Sequence, residues 1–161
     1  MRSLSRRVIL GVGLVSVLFP LVSAAQVPQS YLGTWKLNLA KSTYNPGPAP
    51  KSSTGGTEAV PGGGMRVTND SIDLAGKPTH TEIVTMFDGK EGELKGAAAP
   101  PTRLYSRSDD RTYQYVMRVN GKVTTTNRVT ISADGKTRTI VSTGTGTDGK
   151  PVNTTTVWDR Q

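Results

Sequence analysis

The chain has 161 residues, enough for one domain and an address segment, and its 20 lysines and arginines against 12 acids leave a net charge of +8. It contains no cysteine and 1 histidine. That excludes disulfides, thiol catalysis and a three-histidine zinc site.

Residues 1–25 read as an export signal. Arg2, Arg6 and Arg7 precede an apolar run over 8–18, shorter than the ~20 residues of a membrane span. Pro20 and the small residues Ser23, Ala24 and Ala25 follow, as beside a cleavage site. The Arg6-Arg7 pair also resembles the twin-arginine export motif, so either export route is open. The expectation is cleavage near Ala25 and a periplasmic or extracellular mature protein with no stable membrane insertion.

Residues 26–161 are expected to form a single β-barrel domain. Threonine, β-branched and suited to a pleated sheet, occurs 22 times, and no segment after residue 25 carries a sustained helical period. In 31–39, Trp35, Leu37 and Leu39 alternate with Thr34, Lys36 and Asn38, the pattern of a half-buried strand. A Pro/Gly-rich loop is expected over about 40–64, because each proline there removes a donor and fixes φ, with a weak strand at 57–60. Strands follow over 65–74, with Asn69-Asp70 a candidate bulge, and over 79–87, 92–95 and 102–107.

Residues 111–158 are the most regular stretch. Asn120-Gly121, Asp134-Gly135 and Asp148-Gly149 mark three tight turns whose glycines stand 14 residues apart. Such dipeptides between β-formers predict type I′ hairpin turns, with φ > 0 at both central residues. In 122–131 the odd positions Val123, Thr125, Asn127, Val129 and Ile131 are expected to face in, as are Tyr113, Tyr115, Met117 and Val119 one strand earlier. The total is 9 or 10 strands, an all-β antiparallel up-and-down meander. A sheet that long curls, and closure removes its exposed edges.

Gly33-Thr34-Trp35-Lys36-Leu37 on a first strand, followed by a long run of hairpins, resembles the calycins: lipocalins, fatty-acid-binding proteins and avidins. The stretches 33–50 and 148–151 also look like uncharacterised exported bacterial proteins described only as lipocalin-like. The resemblance implies a closed barrel in which Trp35 seals the floor beneath a basic side chain of the last strand, here Arg160. The chain departs from the pattern in having no disulfide and no Thr-Asp-Tyr motif. Its proline-rich loop also leaves no place for the two-helix lid of fatty-acid-binding proteins.

No catalytic constellation stands out. His80 lacks a cysteine or second histidine to work with. The acids fall mostly in turns, where aspartate bonds its own backbone. Asp70 with Asp73, and Asp109 with Asp110, lack the spaced oxygen ligands of a calcium loop. Lys77, Lys90, Lys122, Lys136 and Lys150 each follow a glycine, which splits the basic charge between the two ends of a meander. A nucleic-acid partner is therefore not expected.

The functional expectation is a non-enzymatic barrel binding a small hydrophobic or amphipathic ligand, with no metal and no cofactor. Trp35, Tyr113, Tyr115, Met117, Thr125 and Asn127 are the candidate interior residues. Two alternatives stand beside it: a structural or surface-interaction module with a filled interior, and an enzyme in the same barrel.

Overall fold

The computed structural model describes residues 26–97 and 100–161; the export signal expected over residues 1–25 lies outside them. A 3-10 turn, Gln29–Tyr31, leads into ten strands: β1 (Gly33–Thr43), β2 (Ser52–Val60), β3 (Gly64–Ile72), β4 (Pro78–Thr85), β5 (Glu91–Glu93), β6 (Thr102–Arg107), β7 (Thr112–Val119), β8 (Lys122–Ile131), β9 (Thr137–Thr145) and β10 (Pro151–Arg160). All pairings are antiparallel, in the order β4-β3-β2-β1-β10-β9-β8-β7-β6-β5. The sheet curls until β4 meets the chain just beyond β5. There a single bridge forms, Glu82 and Lys95 exchanging backbone hydrogen bonds of 3.1 and 2.8 Å. The result is an up-and-down meander forming a nearly closed barrel.

The irregular region is shorter than its composition suggests. β1 runs on to Thr43 and β2 begins at Ser52, so the proline-rich loop shrinks to 44–51. Ser52 to Gly56 is poor in strand formers, yet all nine residues of β2 pair with β3. Tertiary pairing overrides local preference here. Two glycines in this stretch serve close approaches: a Cβ on Gly55 would stand 2.8 Å from the Arg138 guanidinium, and one on Gly56 2.6 Å from the Thr68 hydroxyl.

Asn69 and Asp70 pair in unbroken register with both β2 and β4, so no bulge forms there. The bulge lies instead between β7 and β8: Met117 faces Thr125 and Arg118 faces Val123, leaving Thr124 as the extra residue. One added residue reverses the alternation beyond it. Val123 is therefore 54% exposed, against its expected inward position, while Thr124 and Thr125 are both buried. Gly144 lies across from the bulge, and any side chain there would collide with the Thr124 carbonyl. A second irregularity, between Asn38 and Thr43 on β1, turns Leu39 out to 41% exposure.

The three hairpin turns are not alike. Asn120 and Gly121 both have positive φ, at 50° and 75°, as a type I′ turn requires. At the other two only the glycines do, Gly135 at 70° and Gly149 at 79°. In those turns Gly135 N–H donates to Ser132 O and Gly149 N–H to Gly146 O, while Asp134 and Asp148 accept from the amides of Lys136 and Lys150. Each is a type I turn closed by a left-handed glycine and an aspartate side chain.

Candidate functional site

Trp35 of β1 is fully buried. The β1–β10 register sets Arg160 opposite it, with the guanidinium carbon 4.2 Å from the indole centre. Arg160 is held there by three carbonyls: Nε donates to Gly135 O at 2.6 Å, Nη1 to Leu32 O at 2.5 Å and Nη2 to Ser30 O at 2.9 Å. This arrangement explains the glycine of the Gly33-Thr34-Trp35 stretch. Gly33 has a φ of 124°, and a Cβ there would collide with Arg160 Nη1. The glycine clears the path by which the arginine reaches the turn carbonyls.

A second arginine enters from β9. Arg138 pairs with Trp158 of β10, and its guanidinium lies 5.0 Å from the Trp35 ring and 4.8 Å from the Trp158 ring. It is only 4% exposed. Burial pushes its guanidinium below the ordinary arginine value, opposed by the phenols of Tyr113, Tyr115 and Tyr105. Arginine ionises so strongly that the group stays charged. A third, Arg103 of β6, lies 4.7 Å above the Tyr115 ring and donates from Nη1 to the Tyr105 hydroxyl at 3.4 Å.

The aromatic wall is continuous. Tyr31 and Tyr113 lie 4.7 Å apart, Tyr105 and Tyr115 5.1 Å, and Phe87 sets its edge toward Tyr105 and Tyr113. Tyr31 donates to Thr112 O at 2.7 Å, and also contacts Asp109 O. Burial raises its phenol to about 12, and raises those of Tyr105 and Tyr113 as well.

Arg103, Arg138, Tyr105, Tyr113 and Tyr115 border a cavity of about 240 Å³. Its wall is mixed. Val67, Leu94, Ile140, Trp158 and the rings of Tyr105, Tyr113 and Tyr115 are apolar or aromatic; Thr68, Asn69, Thr81, Ser142, Thr156, Arg103 and Arg138 are polar. Asn69 is fixed by Ser53 at 2.8 Å and Ser71 at 2.8 Å.

Of the candidate interior residues, Tyr113 and Tyr115 border this cavity. Trp35 lies beneath it, in contact with Arg138. Thr125 and Asn127 are buried but engaged with each other, Asn127 Nδ2 donating to Thr125 Oγ1 at 2.9 Å and to Tyr115 O at 3.3 Å. Met117 is half-buried, across from Thr125, and does not reach the cavity. Arg103 and Arg138 were not among the candidates, although a signal existed. Arg103 shares strand parity with Tyr105, and Arg138 with Ile140 and Ser142, so alternation alone sets both on the inner face.

His80 lies on the outer face of β4, exposed, with Nδ1 2.7 Å from Asp70 Oδ1. Among the described residues no group of three or more His, Cys, Asp or Glu side chains gathers as a metal site would.

The ten-stranded up-and-down architecture, closed between first and last strands, is consistent with a calycin-like barrel. No protein-family model matches the chain, and no curated protein matches it in sequence.

Proposed function

We propose that this is an exported, non-enzymatic binding protein that holds one small, partly apolar ligand inside its barrel. The observation carrying the reading is the mixed wall of the 240 Å³ cavity, which combines rings and aliphatic side chains with hydrogen-bonding groups. That is the composition of a small-molecule site, in which apolar surface supplies affinity and a few polar groups fix orientation. A water occupies about 30 Å³ in the liquid, so the space is larger than solvation of a filled core needs. The resemblance to lipocalins points the same way. The non-enzymatic part rests on the interior's chemistry: the one histidine faces outward, and the buried hydroxyls of Thr125 and Tyr31 are engaged with amide or carbonyl partners rather than with a base.

The test is native mass spectrometry of protein purified from its source, followed by an untargeted search of the denatured extract. A near-stoichiometric small molecule, released on denaturation, is the expected result. A bare-chain mass, with no stabilisation by any member of a small-molecule panel, would restore the alternative of a structural module with no ligand.

A further inference from the structure

We propose that the ligand's polar end is a carboxylate held by Arg103 and Arg138, and that its body is a single ring or a short chain. The inference rests on the reading of the interior as a ligand site. It begins from charge. All 12 acidic residues of the chain lie within the described residues, and none forms an ion pair with Arg103 or Arg138. Eleven of the acids bond surface lysines or arginines, His80 or turn amides, and Glu93 is exposed. The interior therefore carries two positive charges that the protein does not balance, an arrangement whose desolvation cost ordinarily demands a partner.

Hydrogen bonding gives the same result independently. Arg138 donates to no described residue, and the Nε atoms of both arginines are buried without an acceptor. The indoles and the Tyr115 ring attract the guanidinium faces, but cation–π contact leaves the in-plane N–H donors other than Arg103 Nη1 without an acceptor. A guanidinium offers those donors as a fixed fork, which a carboxylate matches with two parallel bonds. Tyr105, already accepting from Arg103, keeps its own O–H to donate.

Volume limits the rest of the ligand. A cavity of about 150 Å³ accommodates benzene. The 240 Å³ here has room for about ten non-hydrogen atoms on that scale, a ring with a short acidic side chain or a medium-length alkanoate. Leu94, Val67 and Ile140 would cover such a body, whereas a long-chain fatty acid would have to extend beyond the cavity.

The experiment is calorimetric titration of the mature protein with benzoate, phenylacetate, cinnamate and octanoate, each beside its uncharged primary amide, with oleate as the size control. At least one acid is expected to bind about tenfold or more tighter than its amide. Arg103→Met and Arg138→Met should each bring that pair toward parity while the amide's affinity holds. Should Arg138→Met fail to fold, Arg103→Met decides alone. Amides that bind as tightly as their acids would overturn the carboxylate assignment and leave the ligand reading intact. Oleate binding as well as the short acids would overturn the size limit. Silence from both series would overturn the inference, and the ligand reading falls with it only if native mass spectrometry also returns a bare chain.

Discussion

Trp35 and Arg160 face each other across the β1–β10 pairing, the guanidinium carbon 4.2 Å from the indole centre. Three carbonyls aim the arginine, so the cation–π contact is preorganised. A double-mutant cycle with Trp35→Phe and Arg160→Met should give a coupling of about 0.5–2 kcal/mol. Chemical denaturation of the four proteins measures it, and a coupling of zero in folded variants would reduce the pair to unrelated core and terminal residues.

Gly33 belongs to the same contact. Gly33→Ala should cost more than about 1 kcal/mol, through its positive φ and through collision with Arg160. In an Arg160→Met background the collision is relieved and the φ penalty remains. The cost should fall without vanishing; an unchanged cost would show that only the backbone angle matters.

Arg138 should behave unlike an ordinary core residue. Replacing a buried charge that has no counter-ion with an apolar side chain of similar volume is often neutral or stabilising. Arg138→Met is therefore expected to keep the stability of the ligand-free protein within about 1 kcal/mol or to raise it, whereas truncating a packed apolar residue costs about 2–5 kcal/mol. Loss on the larger scale would mean that the guanidinium holds the two indoles in place by itself.

The buried phenols predict alkaline sensitivity. Tyr31 is raised to about 12 from an ordinary 10.0, so the folded state keeps its proton through a pH range in which the unfolded chain has lost it. Its contribution is fully present below pH 10 and declines as pH rises toward 12. Tyr105 and Tyr113, shifted in the same direction, steepen the decline. Denaturation midpoints measured from pH 8 to pH 12 should be flat at first and then fall; a flat profile throughout would contradict the burial of these phenols.

At the first hairpin, Gly121→Val should cost more than about 1 kcal/mol, since φ is 75° there, while Lys122→Gln should stay within about 0.5 kcal/mol. Equal sensitivity would assign the lysine a role beyond the turn.

Strand count and order were readable because turn chemistry is local: a glycine with a flanking Asn or Asp announces a hairpin whatever packs on it. The extent of β2 was not, since Ser52 to Gly56 becomes strand only by pairing with β3 and making room for Arg138 and Thr68. The bulge at Thr124 depends on Gly144, twenty residues away, and no pattern within β8 encodes it. Trp35 and Arg160 drew notice through a motif and a terminal position. Arg103 and Arg138 escape notice in the sequence, because a basic residue on a strand normally points to water and only its parity with Tyr105 or Ile140 says otherwise.

The single bridge between Glu82 and Lys95 also bears on how the chain finds its fold. Every other pairing except β1–β10 joins strands adjacent in sequence, and the two ends of the seam are themselves separated by only a short stretch of chain. Closing the seam therefore needs little conformational search, whereas joining β1 to β10 gathers nearly the whole domain. The pairing of β1 with β10, which carries Trp35 and Arg160, is therefore expected to limit the rate of folding. The seam, held by a single bridge, is by contrast where the native barrel is expected to part most readily.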